Sequence, residues 1–520
     1  MKKIVLITSV FGLLCSLQAP AQGKKYYLTP TGSDHNNGFS PHTAWRSIQK
    51  INETDFKPGD TVFFAGGGVF NGTIKLSADD NGSLKHPVVI TSFGRGKATI
   101  NAGNDDGLLA VNTSFVKISR LMVIGNGVDG NKGSGIHFYS SDSLKAPSHI
   151  TIEACDVKGF RSYGIAFGAD GNLSCRGYRH VRIIKCNASA NGQGGITSYG
   201  SQKGFQHYDF YITNCKAFAN RGILSQTNGH SGNGIVMAMI DSLLIEHCEA
   251  FENGADNRCD AGGPVGIWVW MCKNAIIQHC VSHDNHAGGT KDGGGFDIDG
   301  GSSNCVMQYN YSYNNEGAGY LLAEFGALFP FTNNIVRFNI SVNDGRKNNY
   351  GGIGVWGASK DYSVTNSAVY NNTICVDDSK VINGKPAAIT FMGANFKNVL
   401  IANNIFVTKG KANFVNADTL ITKSAALMLN NDYYSCDDNY TFDYGRQEFQ
   451  SIQAWLENNP DQEVLENKST LLNIDPLFVG NPFALLTKSN LSIRKKSPLR
   501  NKLFIIPGYL TRKTFPGAIQ

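Results

Sequence analysis

The chain has 520 residues, 59 glycines and a formal net charge of +6. This charge is modest and comes without a dense basic block, which argues against a nucleic-acid-binding protein. No segment after the N-terminus is apolar enough to span a bilayer, so we expect no membrane span. A mildly basic chain is compatible with an acidic polymer as substrate but does not require one.

The N-terminus predicts a secretory signal peptide over residues 1–21. Two lysines precede an apolar run from Ile4 to Leu17, and Ala19-Pro20-Ala21 has the small-x-small pattern of a cleavage site. Cleavage would lower the formal charge from +6 to +4. We therefore expect a secreted or periplasmic protein.

The segment after the signal peptide, about residues 22–65, is predicted to form a cap. Thr43 to Ile51 has helical spacing. A helix there would cover the open end of a repeat array, which solenoids need because an uncovered end is a sheet edge.

A repeat of about thirty residues runs through the middle of the chain, about residues 90–410. Alternating apolar residues are followed by one cysteine or asparagine and then by a turn rich in Asn or Gly. The repeating residues lie 29 to 33 positions apart: Cys155, Cys186, Cys215, Cys248, Cys280, Asn310, Asn339, Asn372 and Asn404. Short strands at this period predict the coils of a parallel β-solenoid.

Stacked coils place equivalent residues in columns. We therefore predict that the five periodic cysteines are buried and reduced, and that the asparagine amides hydrogen-bond along their column. Twelve cysteines in an exported protein would otherwise suggest disulfides, but removal of Cys15 with the signal peptide leaves eleven, so at least one is unpaired.

The last part of the chain, about residues 411–520, loses the period. Ser451 to Leu456 has the spacing of a short amphipathic helix. We expect residues 22–520 to form a single domain that ends in this irregular C-terminal region.

The segment KDGGGFDIDGG places Asp297 and Asp299 in one strand of the repeat. The register aligns Phe296 and Ile298 with the inward apolar residues of neighbouring coils. Because side chains alternate along a strand, the two acids should point outward and should not be buried.

Three of the five tryptophans share the predicted outer face with these acids. Exposed aromatic rings beside acids suit sugar rings, which stack on them. The alternative is that a C-terminal loop covers this face and the rings pack ordinarily. The predicted substrate-binding residues are Trp268, Trp270, Trp356, Tyr320 and Arg258.

Further polar residues are predicted to gather around the strand, on the same coil or on adjacent ones. Each alone is typical of a solvated turn, but together they place several titratable groups close to one another. They are Lys291, Asp292, His283, His286, Asp260, Glu316 and Glu324.

The opening YYLTPTGSDHNNGFSPHTAWRSIQKI, the repeats and the closing DPLFVG resemble secreted bacterial right-handed parallel β-helix proteins of the pectate-lyase-like superfamily. TKDGGGFDIDGG resembles the Asp-rich strand of family 9 pectate lyases. The resemblance implies an all-β, right-handed parallel β-helix. It also implies that Asp292, Asp297 and Asp299 hold Ca²⁺ and that a lysine removes the proton. Lys291 directly precedes these acids, whereas those lyases hold their base on a later coil.

Three functions compete for this strand. In the favoured one, a uronate-containing polysaccharide or oligosaccharide undergoes β-elimination, with a sugar or water as leaving group. Calcium or Arg258 would neutralise the uronate, and Lys291, His283 or His286 would be the base; no cofactor is the alternative to calcium.

In the second function, a glycoside is hydrolysed by two carboxylates, with Asp297 or Asp299 as nucleophile or base and Glu324 as acid. In the third, the strip binds polysaccharide without catalysis. We expect a monomer whose partner is the sugar substrate, which could be anionic.

Overall fold

The structure is a computed structural model that describes residues 23–171, 175–358, 361–484, 488–506 and 516–518. The predicted signal peptide and Cys15 lie outside the described residues, so export stays a prediction. Within the described residues, neither α-helix is long and apolar enough to cross a membrane.

Three long sheets wind into a right-handed parallel β-helix, which confirms the predicted fold class. Sheet A contains 14 strands: Lys25–Leu28, Thr61–Ala65, Val88–Phe93, Val116–Ser119, Ser148–Glu153, Arg179–Ile184, His207–Thr213, Ile240–Glu246, Lys273–Gln278, Val306–Gln308, Ile335–Arg337, Ala368–Tyr370, Val399–Ala402 and Ala426–Leu429.

Sheet B contains 13 short strands: Val69–Asn71, Ala98–Gly103, Leu121–Gly125, Asp156–Lys158, Asn187–Ser189, Lys216–Phe218, Glu249–Phe251, Val281–His283, Tyr311–Tyr313, Ile340–Val342, Thr373–Asp377, Ile405–Lys409 and Asp432–Ser435. One residue with positive φ separates each central strand of sheet A from the next strand of sheet B, as at Asn214 and Asn403. Asparagine tolerates this left-handed conformation better than most residues, which explains part of its abundance at the turns.

Sheet C, which carries the Asp strand, contains 14 strands: Ile74–Leu76, Leu108–Val111, Ile136–Ser140, Tyr163–Ala169, Gly194–Tyr199, Asn233–Ala238, Val265–Trp270, Gly294–Asp299, Tyr320–Glu324, Gly351–Gly357, Ala387–Gly393, Asn413–Ala417, Phe442–Tyr444 and Gln447–Phe449. The last two strands pair antiparallel, so a hairpin ends this otherwise parallel sheet.

The remaining elements lie between coils and at the two ends of the helix. Two small strand pairs are Val364–Thr365 with Phe396–Lys397 and Val464–Leu465 with Lys468–Ser469. The α-helices are Gln49–Asn52 and Ile452–Asn458, and the 3₁₀ helices are Pro41–Thr43, Asp378–Lys380, Lys488–Leu491 and Pro498–Asn501.

The predicted ladder is confirmed, and it extends further than the repeat indicated. The ladder cysteines are all free and buried. The N–H of Cys280 donates to Asn310 Oδ1 at 3.0 Å, and the amides then donate from coil to coil. The chain of amide donors runs through Asn310, Asn339, Asn372, Asn404 and Asn431 to Glu463.

A second buried ladder lies at the turn between sheets B and C, where the sequence analysis found none. Its amides donate from Asn191 through Asn220, Asn253, Asn285 and Asn315 to the carboxylate of Asp344. Both ladders therefore end on a buried acid. Each bond joins neighbouring coils, so the ladders fix the register between them.

The structure of the N-terminal segment differs from the prediction. Ala44 and Trp45 are not helical, because the Trp45 N–H donates to Tyr27 O at 2.9 Å and so pairs with the first strand of sheet A. The coils therefore begin near residue 25 rather than 90 and continue to Ser435. The C-terminal helix is present, and its Trp455 is fully buried. One apolar core runs from Tyr26 to Trp455.

The buried acid Glu463 predicts a pH-dependent stability. Burial raises its pKa to about 7, although Asn431, Tyr433 and Thr470 donate to it. The folded state thus holds the proton more tightly than the unfolded chain. The free energy of unfolding should fall by about 3 kcal/mol from this group as pH rises from 4.5 to 8, and level off above.

Urea denaturation of the wild type and of Glu463→Gln between pH 4.5 and 8 measures this contribution. The variant should show the weaker pH dependence. Parallel curves for the two proteins would show that Glu463 has an ordinary pKa.

Candidate active site

The outer face of sheet C has the predicted register around the Asp strand. Trp268 pairs with Asp297, and Trp270 pairs with Asp299 on the next coil. Phe296 and Ile298 are fully buried inside the solenoid. The predicted outward direction of the two acids follows from this alternation and is confirmed.

The expectation that the outward side chains are exposed is wrong for two of them. Asp297 is 3% exposed and Trp268 is 5% exposed. The Trp268 Nε1–H donates to Asn233 Oδ1 at 3.1 Å, and its ring lies 5.6 Å from that of His230. Turns between the coils therefore fold over this face and cover it, a possibility that strand alternation alone does not address.

Asp292 and Asp299 keep partial access to solvent, whereas Asp297, on the same strand as Asp299, is buried. Within the described residues, Asp297 Oδ1 has no hydrogen-bond partner. Burial, and then the charges of Asp299 and Asp292, raise the pKa of Asp297 well above its usual range.

The three carboxyls influence one another strongly. Burial raises the pKa of Asp299 well above its usual range, opposed by the Gly300 N–H and reinforced by the charges of Asp292 and Glu324. Burial also raises the pKa of Asp292. The negative charge of Asp292 therefore makes ionisation of both Asp297 and Asp299 less favourable.

Asp292 is held by two partners that the sequence analysis did not identify. The Gly263 N–H donates to Oδ2 at 2.7 Å, and the Tyr350 hydroxyl donates to Oδ1 at 2.9 Å. The Asp292 N–H in turn donates to the same hydroxyl oxygen at 3.1 Å. Tyr350 immediately precedes the later strand Gly351–Gly357 of sheet C, and Asp292 lies two residues before the strand Gly294–Asp299 on its own coil. Comparing these turns along the repeat was the signal that could have found it.

A cavity of about 890 Å³ opens beside Asp292. Lys291, Asp260, Tyr350 and Trp356 line its near end. It continues over later coils to the C-terminal hairpin, where its lining includes Lys385, Asn416, Asp418, Asp443 and Arg446. The structure therefore brings Lys291, Asp292 and Trp356 together, as the sequence analysis predicted.

Two predicted residues lie away from this cavity. His283 lies on sheet B, where its ring stacks between Phe251 at 5.0 Å and Tyr313 at 4.5 Å, and its Nδ1 pairs with Asp284. Arg258 is exposed and donates to its neighbour Asn257 O at 2.9 Å. Neither is positioned as a base or as a uronate clamp at the cavity.

The prediction that Tyr320 binds substrate is also wrong. It points into the solenoid, is fully buried, stacks on Phe296 at 5.2 Å and donates to Ile340 O. A sugar cannot reach this ring. His286 Nδ1 pairs with Glu316 Oε1 at 3.0 Å, and this pairing helps to lower the pKa of Glu316 to about 2. The pair therefore holds two neighbouring turns together.

Glu324 does not have the environment of the predicted acid. It is fully buried, and its carboxylate accepts the N–H groups of Gly301, Gly326 and Ala327. Burial raises its pKa. With both oxygens engaged by backbone donors, Glu324 holds a turn in place rather than facing the cavity.

The three Asp residues do not fit Ca²⁺ as they stand. Both oxygens of Asp292 already accept hydrogen bonds. No three His, Cys, Asp or Glu side chains in the described part of the chain are grouped to hold a metal ion, although Ca²⁺ takes six to eight oxygen ligands. Calcium binding stays a prediction.

Comparison with known proteins supports the fold. A family profile described as right handed beta helix region matches residues 143–374. A lacto-N-biosidase of Bifidobacterium longum subsp. longum is 25% identical over 74% of this chain, which spans 29% of the length of that relative. The solved GH136 lacto-N-biosidase from Eubacterium ramulus superposes with a TM-score of 0.55 and 17% identity, covering 76% of this chain and 68% of that one.

The predicted likeness to family 9 lyases is not confirmed. Pectate lyase Pel9A covers 96% of this chain and 97% of its own, but with a TM-score of 0.37 and 14% identity. Such a match carries no argument about chemistry.

Removal of the Tyr350 hydroxyl should shift the titration of Asp292. This hydroxyl stabilises the ionised carboxylate, so in Tyr350→Phe the pKa of Asp292 should rise. The part of the pH profile of kcat/KM that reports the ionisation of Asp292 should therefore move to higher pH by about one unit. Tyr208→Phe, on the outer side of sheet A, is the control, and identical profiles for all three proteins would contradict this account.

The calcium expectation has a direct test. If Asp292, Asp297 and Asp299 hold Ca²⁺, EDTA should lower the melting temperature and added Ca²⁺ should restore it. The donor arrangement described above predicts no change in either experiment.

Proposed function

We propose that this protein is a glycoside hydrolase that acts on an oligosaccharide or polysaccharide. The carrying observation concerns two half-buried acids: Asp292 lines a large cavity, and burial together with the charge of Asp292 raises the pKa of Asp299. Glycoside hydrolysis needs two carboxyls of opposite protonation state. Mutual repulsion and burial produce such a pair, because ionisation of one carboxyl disfavours ionisation of the other.

In this proposal, one of the two carboxyls protonates the glycosidic oxygen. The other acts as a carboxylate, either on the anomeric carbon or on the attacking water. Asp297 is buried, so it does not contact substrate. It acts on Asp299 electrostatically, and the strength of this effect depends on whether Asp297 is protonated. Tyr350 and Gly263 keep Asp292 oriented, since both oxygens of its carboxylate are anchored.

The similarity to a lacto-N-biosidase supports hydrolysis over the β-elimination favoured from the sequence. The geometry agrees, because neither Arg258 nor His283 lines the cavity. Elimination would need the uronate carboxylate neutralised and a base at the reacting carbon. A glycoside containing a lacto-N-biose unit is the first substrate class to test.

The two acids should be individually essential for turnover. Asp292→Asn and Asp299→Asn should each lower kcat by at least about a hundredfold, because each removes a proton donor or acceptor. Hydrolysis of 4-nitrophenyl lacto-N-bioside and of a panel of neutral and uronate-containing oligosaccharides measures this. Asp241→Asn, on sheet A, is the matched control and should retain activity. Full activity in either site variant would exclude this pair.

Azide rescue of small-side-chain variants distinguishes the two roles. In a retaining enzyme, Ala at the nucleophile position lets azide attack the anomeric carbon, whereas Ala at the acid/base position lets azide capture the glycosyl-enzyme. Glycosyl azides of inverted and retained configuration should therefore form with the two variants respectively. If Asp292→Ala and Asp299→Ala give no azide product, the retaining mechanism is excluded and an inverting one follows.

A further inference from the structure

An exposed aromatic side chain, Phe325, follows the strand Tyr320–Glu324, which pairs with the Asp strand. Phe325 is 46% exposed and does not line the cavity. An aromatic ring held at the surface offers its face to a ligand.

The ring of Phe325 rests against the residue that follows Asp299. A Cβ added to Gly300 would lie 2.5 Å from Phe325 Cε1, so only glycine allows the ring to approach this closely. The Gly300 N–H also donates to Asp299 Oδ1 at 2.8 Å. The same peptide segment therefore orients the acid and supports the ring.

Trp270 borders the same end of sheet C from the preceding coil. It pairs with Asp299 in the sheet register and is half-buried. It packs against the buried apolar cluster of Ala238, Met239, Met271 and Ala327. Asp299 therefore has an aromatic ring on the coil before it and another just beyond it.

Glu324 explains why the turn holds this shape. Its two carboxylate oxygens accept the N–H groups of Gly326 and Ala327 within the turn, and that of Gly301 on the neighbouring coil. These bonds tie the turn that carries Phe325 to the end of the Asp strand. A buried carboxylate with three backbone donors is strongly restrained.

We propose that Phe325 and Trp270 form a stacking platform for a sugar ring of the substrate, adjacent to the bond that Asp299 helps to cleave, and that Glu324 is the positioning residue of this platform. Pyranose rings present C–H faces that pack on aromatic rings, and nearby polar groups fix their orientation. The platform rests on the proposed glycosidase function, and it assigns sugar recognition to rings that do not line the cavity.

The platform predicts a loss of binding rather than of chemistry. Phe325→Ala should raise KM about tenfold with kcat within about twofold of the wild type, since a stacked ring contributes mainly to binding. Leu328→Ala, which removes another exposed apolar side chain from the same segment, is the matched control. Gly300→Ala should also raise KM, because its methyl group displaces the Phe325 ring, and it should lower kcat as well, because the Gly300 N–H orients Asp299. Glu324→Gln should also raise KM, through the loosened turn.

Binding measured without turnover separates this inference from the proposed function. Asp299→Asn is applied to an array of neutral and uronate-containing oligosaccharides, alone and combined with Phe325→Ala or Leu328→Ala. The platform predicts that Phe325→Ala weakens the strongest signals at least about fivefold and that Leu328→Ala does not.

Each outcome decides one of the two ideas. Equal signals for the Phe325→Ala and Leu328→Ala proteins, or no glycan binding at all, would overturn the platform. Glycan binding that depends on Phe325, in a wild-type protein that hydrolyses none of these glycans, would keep the platform and reject the hydrolase.

Discussion

The hydrogen-bonded register between coils is the constraint on which the rest of the structure depends. Two buried asparagine ladders donate amide bonds from each coil to the next, and they end on Glu463 and Asp344. A shift of one residue in any coil would leave these buried amides without partners and would also turn every side chain of the strand to the opposite face. Because the register is fixed, the acids of sheet C have a fixed direction and fixed neighbours on adjacent coils.

The candidate site follows from that register together with the turns between coils. The strand directs Asp297 and Asp299 outward, and the turns decide which of them solvent can reach. Tyr350, from a turn two coils later, orients Asp292 through a hydrogen bond that no local sequence pattern specifies. Burial raises the pKa of Asp292 and Asp299, and both side chains keep partial access to solvent.

The sequence was sufficient for the parts of the structure that repeat. The thirty-residue period predicted the fold, the reduced cysteines and the direction of the two acids, because stacked coils repeat the same contacts. It was insufficient where contacts come from irregular segments. Tyr320 was predicted to bind substrate although the repeat places it inside, and His283 was assigned to the site although its strand belongs to another sheet. Glu324 shows a third kind of error. Its carboxylate accepts backbone N–H groups, and the sequence alone does not distinguish such a structural glutamate from a catalytic one.

The proposed hydrolase function requires that water is added across a glycosidic bond with the help of Asp292 and Asp299. Mass spectrometry of the products formed in ¹⁸O-labelled water tests this most directly, on oligosaccharides that contain both lacto-N-biose and uronate units. Hydrolysis predicts one labelled oxygen in the product that carries the new reducing end, and no such product from Asp299→Asn. Products lighter by one water molecule, unlabelled and carrying a conjugated double bond, would show elimination and contradict the account.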